Sequence, residues 1–119
     1  MAAPNIVNVT TILGKTAVQQ VTTAATAIVT NAVASNKVLK VNALYIANVD
    51  GASAADITVA LYRSSASVSY ELAHTVSVPA DATLDVISKS IYLEEGDDLR
   101  LTASANSDLE AVCSYEEIS

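Results

Sequence analysis

In the stretch Ile57-Thr58-Val59-Ala60-Leu61-Tyr62-Arg63, a large aliphatic residue occurs at every second position. In an extended chain, Ile57, Val59 and Leu61 therefore lie on the same side. Successive side chains of a β-strand point to opposite faces, so this alternation is typical of a strand with one buried face. The same pattern returns near the end of the chain, where Leu99, Leu101 and Ala103 alternate with polar residues. The alternation therefore predicts an antiparallel sheet with a core on one side.

Further extended segments surround this stretch, and turn-forming residues separate them. Strands are predicted at residues 5–13, 38–49, 68–78, 84–92 and 109–118, with turns at Gly14-Lys15, Ser35-Asn36, Ser64–Ser67 and Pro79–Ala82. The Ala-rich stretch from Thr16 to Val33 could be helical, but its β-branched residues favour two strands with a break near Ala24-Ala25. About eight short strands at this spacing predict an all-β antiparallel β-sandwich, either jelly-roll or immunoglobulin-like.

The length of 119 residues fits one domain. Residues 14–119 are predicted to form the β-sandwich, and residues 1–13 an extended N-terminal arm or its first strand. The chain has no Trp or Phe and only five Tyr. Its core must therefore come mainly from Val, Ile, Leu and Ala, which suits strands.

The charge balance excludes some partners. Six basic residues face thirteen acidic ones, for a net charge of −7, so phosphate backbones and anionic membranes are not expected to attract the chain. No apolar stretch reaches the roughly 18 residues of a membrane helix. Met1 to Pro4 lacks a basic start and a long apolar run, so we expect no secretory signal and folding in a reducing cytosol.

Few residues are candidates for catalysis or cofactor binding, and the sequence predicts neither an enzyme nor a cofactor site. His74 is the only histidine and Cys113 the only cysteine. We expect His74 at a surface or strand edge. Cys113 alternates with Leu109 and Ala111, as a core residue would, and a buried Cys behaves as a small hydrophobe.

The acidic turn from Glu94 to Asp98 is the one candidate for a cation, because clustered carboxylates on a bent loop suit Ca²⁺. It lacks the ligand alternation of a calcium loop, which favours a solvated turn, and no metal site is assigned. Gly96 within it is expected to take a positive φ. Glu116-Glu117 is interpreted as a solvated strand end.

Apolar residues are present in excess over what one sandwich needs. The strand at 38–49 is apolar on two faces, and the first thirteen residues carry no charge. Such surface suggests contact with other proteins, including addition of the N-terminal arm to a neighbour's sheet edge. The alternative is that both segments complete the domain's own core. The residues predicted to contact partners are Asn5, Ile6, Val7, Val9, Ile12, Leu44 and Ile46.

The segments Ala2 to Ile12, Ile91 to Asn106 and Ser114 to Ile118 lie at the two ends of the chain. They resemble small virion structural proteins of tailed bacteriophages, particularly marine ones, whereas the middle of the chain resembles them only in general composition. The resemblance implies a component of the virus particle that forms a small homo-oligomer, for example a trimer. Such a protein would be made in the host cytoplasm and would then become part of the virion. It carries over no functional residue.

The first hypothesis is therefore a capsid decoration or cement protein that binds the major capsid protein or other virion proteins. A neck or tail component is the second. A carbohydrate-binding adhesion module is the third, although only Tyr45, Tyr62, Tyr70, Tyr92 and Tyr115 could stack on sugar rings.

Overall fold

The computed structural model describes residues 4–119, which form two antiparallel sheets packed face to face. Within this range there are nine strands and no helix. The strands are β1 (Ile12–Gln20), β2 (Thr26–Thr30), β3 (Val38–Asn48), β4 (Ala55–Arg63), β5 (Val68–Val78), β6 (Thr83–Asp85), β7 (Ile91–Leu93), β8 (Asp98–Ala103) and β9 (Leu109–Ile118). The prediction of an antiparallel β-sandwich is confirmed.

The first sheet has the order β1-β9-β3-β6. β7 pairs with the same edge of β3 as β6 does, but at residues 39–41, whereas β6 pairs at residues 45–47. The second sheet has the order β2-β8-β4-β5. The antiparallel pairs are nested: β1 with β9, β2 with β8, β3 with β6 and β7, and β4 with β5. This is the pattern of one long hairpin wrapped into a sandwich, so the topology is that of a jelly roll rather than an immunoglobulin domain.

The core lies between the sheets and is built from aliphatic side chains, as the composition predicts. Its completely buried members come from both sheets and include Val41, Leu44, Ile46, Ile57, Val59, Leu93, Leu99, Leu101 and Leu109. Ile57, Val59 and Leu61 all point inward or pack against this cluster. The apolar residues of this stretch therefore face the core, and the residues between them face outward, as the alternation predicts.

The first strand does not start or stop where the sequence suggested. Gly14-Lys15 was expected to be a turn, but β1 runs straight through both residues, paired with Glu116 and Tyr115 of β9. Gly has no side chain to pack, yet the ladder to β9 supports it here. Ile12 and Leu13, assigned to the arm, belong to this strand. The two strands and the break near Ala24-Ala25 are as predicted, because β1 ends at Gln20 and β2 begins at Thr26.

The strand predicted at residues 84–92 is interrupted. It forms the short strands β6 and β7, and the intervening residues 86–90 keep one ladder-like bond, from the Val86 N–H to the Leu44 carbonyl at 3.0 Å. The predicted strands at 68–78 and 109–118 match β5 and β9 in the structure.

A β-bulge in β3 explains why this strand is apolar on two faces in the sequence. The register against β9 shifts between Val41 and Ala43, so one extra residue is accommodated there. Val41 and Leu44 consequently both face the core, although they are three residues apart. The apolar residues before the bulge and those after it therefore face the same core, although the sequence alternation assigns them to two opposite faces of the strand.

Candidate protein-interaction surfaces

Leu44 and Ile46 need correction as contact residues. Both are completely buried in the core, because the bulge turns them inward. They stabilise the sandwich and present no surface to a partner in this fold. Tyr45, between them, points outward and is exposed over 44 % of its surface.

The N-terminal segment at residues 4–11 lies outside both sheets and exposes most of its predicted contact residues. Asn5, Ile6, Val7 and Ile12 are exposed, and Val9 is half-buried. Asn5 closes a local turn, since its Oδ1 accepts a hydrogen bond from the Val7 N–H and its carbonyl one from the Asn8 N–H, both at 3.0 Å. Residues 1–3, the start of the predicted arm and of the segment matched to virion proteins, lie outside the described residues.

The segment is tied to the other end of the chain. The N–H groups of Thr10 and Thr11 donate to the carbonyl of Ser119 at 2.8 and 2.9 Å, and the Ser119 N–H donates back to Thr11. These bonds fix the point from which the arm leaves the sandwich. Its apolar side chains Ile6 and Val7 project beyond that point, with Val7 exposed over 90 % of its surface.

The outer face of the first sheet carries a row of apolar side chains across three strands. Val18 of β1 is paired with Val112 of β9, which is paired with Tyr45 of β3. All three side chains are exposed. The outer face of a two-layer sandwich is normally polar. We call Val18, Val112 and Tyr45 the apolar row.

A shallow cavity of about 350 Å³ lies at one end of this row, where β1 and β9 run side by side. Its lining includes Val18, Gln20, Glu110 and Val112. The lining combines apolar side chains with one carboxylate and with two glutamines, Gln19 and Gln20. This mixture suits a protein side chain better than a charged small molecule.

The outer face of the second sheet has a different chemistry. Arg100 binds both carboxylate oxygens of Asp98, with Nε–Oδ1 at 2.7 Å and Nη2–Oδ2 at 3.1 Å, and lies 4.2 Å from the ring centre of Tyr62. The hydrogen bonds that Arg100 donates to the Asp98 carboxylate raise the pKa of Arg100. This face is satisfied by its own ion pair and stacked ring, which distinguishes it from the apolar row.

Strand β5 forms an edge of the second sheet and is exposed along most of its length. Its exposed apolar residues are Val68, Tyr70, Leu72 and Val76. His74 lies on this strand beside Glu71, with Nδ1 and Oε1 3.0 Å apart. The expected placement of His74 at a strand edge is confirmed.

Cys113 lies in the core of the opposite sheet, completely buried, and burial raises the pKa of its thiol to about 11. Its predicted placement in the core is confirmed. The fold does not bring Cys113 to His74, because β9 is central in the first sheet and β5 is at the edge of the second. A thiol so placed is a poor nucleophile, since the reactive form is the thiolate.

The carboxylates of the acidic turn are turned toward protein donors. Buried Asp97 accepts from the Ser64 N–H at 2.9 Å and the Glu94 N–H at 3.0 Å. Glu94 contacts Arg63, and Glu95 accepts from the Asn36 N–H at 2.9 Å. Residues 4–119 contain no group of three or more His, Cys, Asp or Glu side chains that could hold a metal ion. The predicted positive φ of Gly96 is confirmed, at 89°.

At the same end of the sandwich, Glu117 of β9 forms ion pairs with Lys15 of β1 and with Lys37 in the loop before β3. Its carboxylate lies 3.1 Å from Lys15 Nζ and 2.9 Å from Lys37 Nζ. The hydrogen bonds from Lys37 and Lys15 lower the pKa of Glu117. The interpretation of Glu117 as a solvated strand end is wrong, because it is mostly buried between two cations.

The apolar row was missed by the sequence analysis, although a signal was present. Val112 stands in the polar half of an alternating strand, between Glu110 and Ser114, and Val18 stands between Thr16 and Gln20. A large apolar residue among the outward-facing positions of a strand is the pattern that marks an exposed apolar patch.

The five tyrosines that could stack on sugar rings are scattered. Tyr45, Tyr70 and Tyr92 are exposed, but Tyr70 belongs to the other sheet. Tyr62 is stacked under Arg100, and Tyr115 packs against the core.

Comparison with known proteins gives a likeness of fold. No family model matches the chain, and no curated protein matches it. Among solved structures, a chain from the work "Bacillus endospore appendages form a novel family of disulfide-linked pili" superposes with a TM-score of 0.53. The match covers 92 % of this chain and 88 % of that one at 12 % identity. The two chains share the same overall β-sandwich fold.

No helix within residues 4–119 is both long enough and apolar enough to span a membrane.

Proposed function

We propose that this protein is a non-enzymatic structural subunit that assembles with copies of itself and with other proteins. The observation that carries the proposal is the apolar row, in which Val18, Val112 and Tyr45 lie in register across an outer sheet face. Burying these side chains against a partner would remove apolar surface from water, at roughly 25 cal/mol per Å² before ordering costs. The fold itself has no need of them on that face.

The arm supplies a second contact in this proposal. Ile6 and Val7 are exposed, uncharged and held near a fixed point by the bonds from Thr10 and Thr11 to Ser119. The segment is turned at Asn5 rather than extended as predicted, so its exposed apolar side chains are proposed to fill a groove on a neighbouring protein. Asn5, Ile6, Val7 and Val9 therefore remain the proposed arm contacts, and Ile12, which belongs to β1, is proposed as a contact on that strand.

The specific form that we propose is a decoration or cement protein on the head of a tailed bacteriophage, bound to the major capsid protein. The support for it is the resemblance of both chain ends to small virion proteins, together with a jelly-roll fold, which also occurs in viral capsid proteins. The same surfaces would serve a neck or tail component, which differs only in its place in the particle.

A subunit of a protein filament is the second candidate, favoured by the fold likeness to the endospore appendage subunit. That structure is described as disulfide-linked, whereas this chain has a single cysteine, Cys113, which is completely buried. A filament of this protein would therefore have to assemble without such links, through surfaces such as the apolar row.

Immunogold electron microscopy with antibody to this protein would test the proposal on phage particles whose genome encodes the chain. Label spread over the heads supports decoration, and label at one vertex or on the tail moves the protein to the neck or tail. Unlabelled particles contradict the virion proposal. Negative-stain microscopy of the purified protein would then test for filaments, and a glycan array would test for sugar binding.

The apolar row can be tested in the same system by cosedimentation with particles. Val112→Glu should weaken particle binding, because it places a charge in the middle of the buried patch. Thr102→Glu, on the polar outer face of the second sheet, is the matched control and should bind as the wild type does. Equal binding by both variants would contradict a role for the row.

A further inference from the structure

The four edges of the sandwich differ in how well they are protected against pairing with another strand. An open edge presents unpaired N–H and C=O groups, and proteins blunt such edges with short strands, bulges, charges or proline. The edge formed by β6 and β7 consists of two three-residue strands separated by residues 86–90. That interruption leaves no continuous ladder for a partner.

The two edges of the second sheet are irregular. β2 has five residues, and its register against β8 shifts between Ala27 and Val29. β5 is longer, but its pairing with β4 shifts twice, on either side of Val59, and Thr75 has a positive φ of 45°. A positive φ is exceptional for a β-branched residue and marks a local departure from strand geometry. Both edges therefore carry the distortions that discourage pairing.

β1 is the exception. All nine of its residues pair with β9 in unbroken register, from Ile12 with Ile118 to Gln20 with Glu110. Its other side meets no strand of residues 4–119, because β1 is the end of the sheet order. In an antiparallel ladder alternate residues bond to the neighbour, so about half of the N–H and C=O groups of β1 point away from β9. This long regular edge lacks proline and acidic residues.

The side chains of β1 also suit a partner. Ile12, Leu13 and Val18 are exposed although they are large and apolar. Leu13 lies on the opposite face of the strand from Ile12 and Val18, so both sides of this edge carry exposed apolar surface. The one charge in β1, Lys15, is held by Glu117 at 3.1 Å. A second β1 therefore meets a lysine that already has a carboxylate partner, which Lys15 shares with Lys37.

We infer that β1 is the junction between two copies of this chain, paired antiparallel about a twofold axis so that the first sheets of both subunits form one continuous sheet. A second β1 is the partner that the structure supports, because it is the only regular long edge among the described strands. Twofold pairing uses the same surface on both subunits, which is the commonest arrangement of homo-oligomers. The apolar rows of the two copies then lie on one shared face.

The inference rests on the proposed role as a self-assembling subunit but makes a narrower claim. It predicts a dimer, or a larger assembly of dimers, rather than the trimer that the sequence analysis names as one form. Partner binding through the arm and Val112 could still hold if this junction were wrong.

Multi-angle light scattering on the full chain over a concentration series tests the junction. The wild type should reach the mass of a dimer or of an even-numbered assembly. Thr16→Lys places a cation on the exposed face of the edge strand and should weaken dimerisation at least about tenfold, because two like charges would meet across the axis. Ser114→Lys, at the residue of the inner strand β9 that pairs with Thr16 and lies outside the apolar row, is the matched control and should still dimerise.

Two further measurements do not depend on Thr16→Lys. Hydrogen exchange of the wild-type amides should show protection of β1 that rises with protein concentration, while that of β4 stays constant. Single cysteines at Gly14, Thr16 or Val18 should cross-link two chains under mild oxidation at the position nearest the axis, since directly opposed Cβ atoms lie about 5 Å apart. Cys113 is buried and should not interfere.

A wild type that stays monomeric or forms trimers would overturn the inference. So would a Thr16→Lys variant that dimerises as strongly as the wild type. Loss of particle binding by Val112→Glu without any dimerisation would support the proposed function and reject the junction. If the protein forms dimers through β1 but is found on no particle and in no filament, the junction is supported and the proposed function is rejected.

Discussion

Arg63 reaches Asp97 across the end of the sandwich, with its Nε 3.2 Å from Oδ2. Asp97 is almost completely buried and also accepts the N–H groups of Ser64 and Glu94. One carboxylate thus joins the turn between β4 and β5 to the turn between β7 and β8. A buried carboxylate with a cation and two N–H donors is costly to disturb, because its partners would be left unsatisfied.

We expect Asp97→Asn to lower the free energy of unfolding by about 2–4 kcal/mol, since an amide cannot replace the charge and turns a donor toward other donors. Urea unfolding followed by circular dichroism would measure the loss. Glu94→Gln, at the exposed partner of the same arginine, is the control and should cost less than about 1 kcal/mol. Equal losses would contradict the central role of Asp97.

Gly96 makes a second prediction at the same turn. Its φ is 89°, and a Cβ there would lie 2.6 Å from Ser64 Oγ and 2.7 Å from Ser64 Cβ. Gly96→Ala should therefore destabilise the fold by about 2–4 kcal/mol through backbone strain and overlap. Adding Ser64→Gly should recover the part due to overlap but not the part due to φ. A stable Gly96→Ala variant would show that the turn can rearrange.

Glu117 should contribute to acid stability. Lys37 and Lys15 lower its pKa in the folded state below the ordinary value of 4.5. A depressed folded-state pKa stabilises the protein above the ordinary value, and this stability is lost as the pH falls below 4.5 through the folded-state pKa. Glu117→Gln should therefore flatten the fall of stability with acid in that window. Glu116→Gln is the control, and a wild-type-like acid profile for Glu117→Gln would contradict the assignment.

Cys113 should be chemically silent in the folded protein. Its thiol has a pKa of about 11 and no exposed surface, so an aromatic disulfide reagent at pH 8 should react only through unfolded molecules. A cysteine introduced at Ser65, which is exposed in the turn between β4 and β5, is the control and should react within the mixing time. Rapid reaction of native Cys113 would show that β9 opens locally.

The arm should be dispensable for folding. Removing residues 1–9 keeps the bonds of Thr10 and Thr11 to Ser119 and leaves β1 whole. The thermal unfolding midpoint should stay near that of the wild type, while binding to particles should be lost because Ile6 and Val7 are gone. A truncated protein that still coats particles would show that the arm is not a contact.

The sequence was sufficient for the fold class because local alternation and turn residues report on it directly. The ends of β5 and β9 could be predicted from the alternation of their residues and from the turns beside them. The positive φ of Gly96 could be predicted from its place in the acidic turn. The interruption between β6 and β7 could not be predicted, since Val86 and Ile87 look like strand residues and only the bonding to β3 decides the matter.

The candidate surfaces were predicted less well, for a physical reason. Whether Leu44 and Ile46 face the core or the solvent depends on a one-residue bulge at Asn42, and a shift of one residue reverses the faces of a strand. The regular edge of β1 became visible only when its neighbours were known. Exposure of a strand edge is a property of sheet order, which alternation does not encode.

The nested pairing has a consequence for how the protein is made. β1 leaves the ribosome first among the strands, but its partner β9 is synthesised last. Until then β1 has two open edges, and closing so long a loop is entropically slow. Several nascent chains on the same messenger would carry unprotected β1 strands at the same time. Two β1 strands would then pair with each other before either chain has completed its fold. Expression at low temperature with slow initiation should then raise the yield of correctly folded protein.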